Sequence, residues 1–266
     1  MAQIRVDQLT AKQQNISSEE AAALIMERRV LVNGVMVDKP GTSVDENAVI
    51  TVKEKAKKYA SRSGYKLEGA LKQFGVDPTG KVVCDIGASN GGFTDCLLQH
   101  GAAHVFAVDV AYGILAWELR QSEKVTVMER TNARYLDAEK LGCTCDMVTG
   151  DVSFISLRKI FPSIDKILKE DGICVCLIKP QFEAPQKELG KNGTLKDRGI
   201  LPGLFRDIFR VAEENHLYVQ DLMVSPIHGQ NGNIEFLAKW GRKPSMDEET
   251  LMRLTEEAAS WDIAEE

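Results

Sequence analysis

Between residues 81 and 240 the sequence alternates short apolar segments with longer amphipathic ones, and this alternation restricts the fold more than any other feature. Strands are predicted over residues 82–86, 104–110, 125–128, 146–149, 173–178, 218–224 and 234–239, and helices over residues 92–100, 114–120, 157–169 and 204–215. Strands that alternate with helices form a mostly parallel sheet with helices on both faces. The last two strands are joined by only Ser225–Gly232, which is too short for a crossover helix, so one of them should run antiparallel. The pattern therefore predicts an α/β domain built on a seven-stranded sheet.

The net charge of −6 is distributed unevenly along the chain. The segment from Lys243 to Glu266 contains eight acidic and two basic residues, so it carries the whole excess of negative charge. Basic residues cluster instead just before the α/β domain, at Lys53, Lys55, Lys57, Lys58, Arg62 and Lys66. This cluster could bind a phosphate backbone, although a solvated linker would have the same composition.

Several classes of protein are disfavoured by composition. No apolar run approaches the roughly 18 residues of a membrane-spanning helix, and the first residues lack the apolar core of a signal peptide, so a cytoplasmic location is expected. The six cysteines contain no C-x-x-C pair and no histidines lie at ligand spacing, so no metal site is expected.

The first 60 residues predict a small α+β module that ends in the basic linker. Ser17 and Ser18 can cap a helix that runs through three alanines. The Asn33-Gly34 dipeptide between two valine-rich segments predicts a hairpin, and residues 48–52 predict a closing strand.

A glycine-rich turn, DIGASNGGF at residues 85–93, follows the first strand of the α/β domain. Its glycines allow a sharp turn and the close approach of a ligand to a helix N-terminus. Ser89 stands where a dinucleotide-binding motif has its second glycine, which argues against a dehydrogenase. A plain strand-to-helix turn would use the same glycines, but a parallel sheet that ends in an antiparallel hairpin is also typical of enzymes that use S-adenosylmethionine.

Polar residues follow the next strands and strengthen the prediction of a cofactor site. Asp109 follows the second strand, where an acid can bind ribose hydroxyls, while Asp85 could hold an ammonium group and Asn132 an adenine ring. The predicted cofactor-binding residues are Asp85, Gly87, Ala88, Ser89, Gly91, Gly92, Phe93, Asp109 and Asn132.

Three charged residues stand at unexpected places near the same edge of the sheet. Lys179 directly follows the most apolar strand, Asp151 follows the fourth strand, and Glu235 interrupts the seventh. A charge inside a central strand is costly unless it is paired. A lysine can remove a proton from a hydroxyl or stabilise the resulting oxyanion, and a nearby carboxylate can orient it. Each residue alone could be a loop charge, but the three together predict a catalytic site.

Five blocks of the sequence resemble the TlyA family of FtsJ-like methyltransferases. They are SRSGYKL at 61–67, DIGASNGGFTDC at 85–96, DVSFISL at 151–157, KPQFE at 179–183 and GNIEF at 232–236. The resemblance extends from about residue 4 to residue 240. It implies a Rossmann-like class I methyltransferase sheet, S-adenosylmethionine as cofactor, and methylation of the 2′-hydroxyl of a cytidine in ribosomal RNA.

The resemblance also implies a catalytic tetrad, Lys66, Asp151, Lys179 and Glu235. Lys66 enters only in this way, and its position at the end of the basic run suggests that it becomes ordered only when RNA binds. Two alternatives remain open. TlyA proteins are often called haemolysins, but a membrane-active lysin would need an export signal and a membrane-inserting segment. A catalytically idle RNA-binding assembly factor would not need the tetrad.

The N-terminal module resembles the small RNA-binding domain of ribosomal protein S4 and of pseudouridine synthases. The predicted RNA contacts are Arg5, Arg28, Arg29, Lys39, Lys55, Lys57, Lys58 and Arg62. The helix begins with Ser17-Ser18-Glu19-Glu20, where this kind of domain usually has basic residues, so we expect weak RNA affinity for the module by itself.

The predicted domain organisation has three parts: the RNA-binding domain with the linker at 1–60, the methyltransferase domain at 61–242 and the acidic tail at 243–266. Ribosomal RNA or a ribosomal subunit is the expected partner. Within the tail, Leu251, Leu254, Ala258 and Trp261 recur at helical spacing and predict an amphipathic helix.

Overall fold

A computed structural model of the protein describes residues 2–53 and 58–262, and in it the chain divides into two compact units between Lys58 and Tyr59. The first unit comprises β1 (Gln3–Arg5), α1 (Val6–Gln14), α2 (Ser18–Met26), β2 (Val30–Val32), β3 (Val35–Val37), β4 (Ser43–Asp45) and β5 (Ile50–Val52). The strands of the second are β6 (Val82–Ile86), β7 (His104–Val108), β8 (Val125–Met128), β9 (Cys145–Gly150), β10 (Leu168–Ile178), β11 (Tyr218–Val224) and β12 (Phe236–Gly241). Its helices are α3 (Ser63–Gln73), α4 (Gly92–Gln99), α5 (Trp117–Arg120), α6 (Ala138–Leu141), α7 (Phe161–Ile167), α8 (Pro180–Glu183), α9 (Leu201–Glu213) and α10 (Glu248–Ala258).

Local sequence signals determine the first unit. Ser17 caps α2 and forms a reciprocal capping box with Glu20. Asn33 and Gly34 both have positive φ, as a tight hairpin turn requires, and β2 lies between β3 and β5 in an antiparallel sheet. The elements β1, α1 and β4 are not among the predicted ones; β1 and β4 pair with each other across the unit.

The second unit contains the predicted sheet, with strand order β11-β12-β10-β9-β6-β7-β8. Strand β12 lies antiparallel between β10 and β11, while the pairs from β10 to β8 are parallel, so the predicted hairpin at the end of the chain is confirmed. Apolar residues cover both faces: one cluster includes Phe161, Phe205 and Trp240, and the other Leu67 and Leu97. Both faces are therefore buried, as a parallel sheet requires.

Three boundaries differ from the predicted ones and matter for the site. Strand β7 ends at Val108, so Asp109 lies just beyond it. Strand β12 begins at Phe236, so Glu235 precedes the strand and does not interrupt it. The helix predicted over 157–169 is a short 3₁₀ turn followed by α7, because β10 already begins at Leu168.

The described part of the acidic tail, up to Asp262, belongs to the second compact unit. Asp247 caps α10, and Leu251, Leu254 and Trp261 pack against the larger apolar cluster, in which Ala258 is fully buried. The apolar stripe needs a surface to cover it, which explains why this segment docks in spite of its charge. Among the described residues, no helix combines the length and the apolar character needed to cross a membrane.

Candidate active site

The carboxyl ends of β6, β7, β9 and β10 meet at one edge of the sheet, and two adjacent cavities open there. The smaller cavity measures about 210 Å³ and the larger about 360 Å³. They share four wall residues, Gly87, Ser89, Asp151 and Ser153. A molecule in one cavity can therefore reach a molecule in the other.

The larger cavity has the predicted cofactor-binding residues Asp109 and Asn132 in its wall, beside apolar side chains such as Val108 and Ile155. Backbone amides of Ser89 and Ala111 each donate a 2.8 Å hydrogen bond to the Asp109 carboxylate, one to each oxygen. These bonds fix the carboxylate at the end of β7. The side chain of Asn132 also caps a 3₁₀ turn by accepting a hydrogen bond from the Arg134 amide at 3.1 Å.

The glycines of the turn have different roles. Gly87 has a φ of 82°, and a Cβ there would lie 2.7 Å from the carbonyl oxygen of Asp151, so only glycine lets the ends of β6 and β9 approach each other. A Cβ on Gly91 would meet Leu119 at 2.2 Å, and one on Gly92 would meet the Ser63 hydroxyl at 2.1 Å. In the described residues, neither Gly91 nor Gly92 lines the two cavities, so they serve packing, whereas Ala88 and Phe93 line the smaller cavity.

Asp85 does not lie where the sequence predicts. It is fully buried and, within the described parts of the chain, it stands outside the linings of both cavities. The hydroxyl of Thr94 on α4 donates to its carboxylate at 2.6 Å, and that of Thr149 on β9 at 3.1 Å. Asp85 on β6 thus joins α4 to β9 through its two hydrogen bonds.

The burial of Asp85 predicts an unusual dependence of stability on pH. Desolvation raises its pKa to about 7, against the opposing effect of the two threonine hydrogen bonds. An unfolded aspartate titrates at about 3.9, so between about pH 4 and pH 7 the folded chain holds a proton that the unfolded chain releases. This contribution to the free energy of unfolding is fully present below about pH 4 and is lost as the pH rises through about 7.

The variant Asp85→Asn cannot ionise and should lack this dependence. We expect the free energy of unfolding of the variant, relative to that of the wild type, to increase as the pH rises from about 4 to about 7. The increase should be up to about 1.4 kcal/mol per pH unit. Urea denaturation of both proteins from about pH 5 to about pH 8 measures the difference. Parallel stability curves would contradict the buried, protonated state of Asp85.

All four tetrad residues line the smaller cavity. Lys66 Nζ lies 2.6 Å from Glu235 Oε2, and Lys179 Nζ lies 2.6 Å from Asp151 Oδ1. Lys179 also donates to the Ser153 hydroxyl at 2.8 Å. Glu235 is only 2% exposed and both lysines only 8%, so each charge has its partner inside the protein rather than in water.

The prediction that Lys66 becomes ordered only when RNA binds is wrong. The residue lies on α3 and not on the linker, and its ammonium group is already paired with Glu235. Its neighbours Leu67, Ala70 and Leu71 are buried in the core, and their burial carries this face of the helix, with Lys66, into the protein.

Several residues of the site are not among the predicted ones. Gln181 donates to Glu235 Oε1 at 3.3 Å and lines the smaller cavity together with Phe182. Phe154 lies at the rim of the larger cavity, 88% exposed and with a φ of 62°, its ring centroid 5.1 Å from that of Phe182. The signal that could have indicated Phe154 is an aromatic residue in a loop that begins with an acid, Asp151, directly after a strand.

The predicted RNA contacts in the first unit are only partly available. Arg5 is paired with Asp7 at 2.5 Å, Arg28 with Asp38 at 3.2 Å, and Arg29 with Glu27 at 3.2 Å. Arg29 also donates to the carbonyl of Lys53 at 3.0 Å and so holds the end of β5. The other predicted contacts are Lys39 and Lys58, which are exposed, Arg62, which is exposed just before α3, and Lys55 and Lys57, which lie outside the described residues.

Comparisons with known proteins identify the family. Residues 59–242 match the FtsJ-like methyltransferase family, and residues 4–50 match the S4 domain. The 16S/23S rRNA (cytidine-2′-O)-methyltransferase TlyA of Mycobacterium tuberculosis is 39% identical over 83% of this chain and 82% of its own. YqxC of Bacillus subtilis, which is named as an rRNA methyltransferase, is 43% identical over 90% of this chain and 88% of its own.

A solved structure gives the same assignment under another label. It is a protein of Streptococcus thermophilus described as a hemolysin, 38% identical, with a TM-score of 0.71 over 97% of this chain and 96% of its own. The name hemolysin and the name rRNA methyltransferase are thus both attached to relatives of this chain. The cavities at the sheet edge, the sequence match and the structural match agree, and the chain belongs to the FtsJ-like methyltransferases of the TlyA type.

Proposed function

We propose that the protein transfers a methyl group from S-adenosylmethionine to the 2′-hydroxyl of a cytidine in ribosomal RNA. One observation carries the proposal. Two lysine–carboxylate pairs, the buried pair Lys66–Glu235 and the partly buried pair Lys179–Asp151, face a cavity that shares a wall with the cavity at the glycine turn.

The larger cavity suits S-adenosylmethionine by its chemistry. The fixed carboxylate of Asp109 can accept hydrogen bonds from the two ribose hydroxyls, and the apolar side chains of Val108 and Ile155 can cover the adenine ring. Gly87 leaves the backbone bare where the two cavities meet. When bound, S-adenosylmethionine supplies an electrophilic methyl group on a sulfonium.

The residues of the smaller cavity act on the hydroxyl that is methylated. With S-adenosylmethionine bound, the 2′-hydroxyl would receive the methyl group of the sulfonium and would lose its proton. The ammonium groups of Lys179 and Lys66 can donate hydrogen bonds to the oxygen as its negative charge develops, because the ion pairs hold them in place beforehand. The Asp151 carboxylate, beside Lys179, is an acceptor for the departing proton.

The substrate class rests on the relatives and on the first unit. TlyA of Mycobacterium tuberculosis is named for the cytidine 2′-hydroxyl of 16S and 23S rRNA, and the first unit matches an S4 domain. Ribosomes or their precursors in the cytoplasm would then be the partner. Because Arg5, Arg28 and Arg29 are engaged by carboxylates, we expect the first unit by itself to bind RNA weakly, which a salt-titrated filter-binding assay measures.

Nucleoside analysis tests the proposal. Ribosomal subunits are incubated with the protein and labelled S-adenosylmethionine, and the RNA is then digested to nucleosides. Labelled 2′-O-methylcytidine is expected, and subunits incubated without protein give the background. Label on a base, or no label with any ribosomal RNA, would contradict the proposal; the second result would favour an idle assembly factor.

A further inference from the structure

Two residues in the sequence blocks of the active site have no part in the reaction described so far. Ser156 belongs to the block DVSFISL, and Glu183 ends the block KPQFE. Glu183 is the last residue of the short helix α8 and is only 6% exposed, although it is an acid. A buried carboxylate is costly unless hydrogen bonds compensate it, so its contacts indicate its role.

The Glu183 carboxylate is held by the loop that follows β9. The Leu157 amide donates to Oε1 at 2.6 Å, and the Ser156 hydroxyl donates to Oε2 at 2.6 Å. The Arg158 guanidinium lies 3.3 Å from Oε2 and donates to the Glu183 carbonyl at 2.7 Å. These four residues, Ser156, Leu157, Arg158 and Glu183, form what we call the carboxylate clamp.

The clamp joins the two segments that carry the Asp151–Lys179 ion pair of the site. The loop after β9 carries Asp151 and Phe154, and the segment after β10 carries Lys179 and Phe182. The ion pair Asp151–Lys179 crosses between these loops at 2.6 Å, and the two phenyl rings meet between them at 5.1 Å. Both contacts depend on the spacing of the two segments, and the clamp joins the same two segments.

A charged clamp fits this gap better than a neutral one. The Glu183 carboxylate accepts at both oxygens and pairs with Arg158, and such charge-assisted bonds are stronger than neutral ones. Desolvation nevertheless raises the pKa of Glu183, while the bonds from Ser156 and Leu157 lower it. Phe154, only two residues before Ser156, has a left-handed backbone that a phenylalanine keeps only when its surroundings hold it.

We propose that Glu183 is a positioning residue for methyl transfer, which holds the loops after β9 and β10 at the spacing that pairs Lys179 with Asp151 and Phe154 with Phe182. The inference rests on the proposed function. It adds a residue that touches neither reactant and acts through Lys179 and Asp151.

The variant Glu183→Gln tests the positioning role. Glutamine has the same shape as glutamate, but its NH₂ group is a hydrogen-bond donor and would face either the Leu157 amide or the Ser156 hydroxyl, which also donate. We expect kcat for methyl transfer to subunits to fall by about 10- to 100-fold, as misplaced reacting groups do, with a smaller change in KM for RNA. Hydrogen exchange of the segment 152–158, including the Leu157 amide, should become faster. Glu188→Gln, the same chemical change on a half-exposed glutamate paired with Lys187, is the matched control and should behave as the wild type.

The outcomes separate this inference from the proposed function. If the wild-type protein methylates no RNA, the proposed function is contradicted. Active wild type with unchanged kcat or unchanged exchange in Glu183→Gln overturns the positioning role, and so does a lowered melting temperature without a lower kcat of the folded enzyme. If Glu183→Gln does not fold, Ser156→Ala decides by the same two measurements with a smaller expected loss, because it removes the hydroxyl that donates to Glu183 and accepts from Arg158 but leaves the Glu183 carboxylate in place.

Discussion

The variant Lys179→Ala is expected to lose methyl transfer by about 100-fold or more while it retains S-adenosylmethionine binding. The Lys179 ammonium group is held by Asp151 at 2.6 Å and by Ser153 at 2.8 Å, so it is placed before the substrate arrives. Removal of one such preorganised donor to a developing oxyanion costs about 100- to 1,000-fold in rate. Lys179 lines only the smaller cavity, so the site for the cofactor should be preserved.

Single-turnover transfer of label to ribosomal subunits measures the loss, and calorimetry measures cofactor binding. Lys124→Ala is the matched control, because Lys124 is exposed and directly precedes β8, at the edge of the sheet opposite the cavities. Equal label from wild type and Lys179→Ala would remove Lys179 from the mechanism. If the variant loses cofactor binding as well as methyl transfer, Lys179 contributes to the cofactor site and not to the smaller cavity alone.

The variant Lys66→Met is expected to lose both activity and about 3 kcal/mol of unfolding free energy. It leaves the Glu235 carboxylate, 2% exposed, without its cation, and an uncompensated buried charge typically costs about 3–5 kcal/mol. The remaining hydrogen bond from Gln181 at 3.3 Å places the expected cost at the lower end.

A second substitution shows whether the cost comes from the orphaned charge. Replacing both partners, in Lys66→Met/Glu235→Leu, should recover much of the stability and none of the activity, because neither charge remains buried. Urea denaturation gives the two stabilities. A double variant no more stable than the single one would mean that Lys66 contributes through packing alone.

The sheet could be predicted because its apolar strands are short, regular and separated by helical segments. The same pattern placed Asp151 and Lys179 at the correct edge, since each directly follows a strand. The apolar residues that flank Glu235 predict that it lies inside a strand, whereas β12 begins one residue later, at Phe236. The prediction of Glu235 as a site residue does not depend on where the strand begins.

The errors have a common physical origin in contacts between distant segments. The basic run before Lys66 concealed the buried face of α3, which is visible only as the spacing of Leu67, Ala70 and Leu71. The position of Asp85 in the glycine motif predicts that its carboxylate binds a ligand, whereas its hydrogen-bond partners in the structure come from α4 and β9. Pairings such as β1 with β4 likewise join three-residue strands that are far apart in sequence, and local patterns do not indicate them.

The Lys66–Glu235 pair joins residues that are 169 positions apart, and its carboxylate directly precedes the strand that is inserted between β10 and β11. A chain that is synthesised from its N-terminus acquires every wall residue of the larger cavity by Ile160, long before Glu235 emerges. Until Glu235 is in place, the Lys66 ammonium group lacks its partner, and the smaller cavity lacks one of its wall residues. A chain truncated before Glu235 therefore retains the wall residues of the larger cavity but lacks one tetrad residue, and we expect it not to methylate RNA.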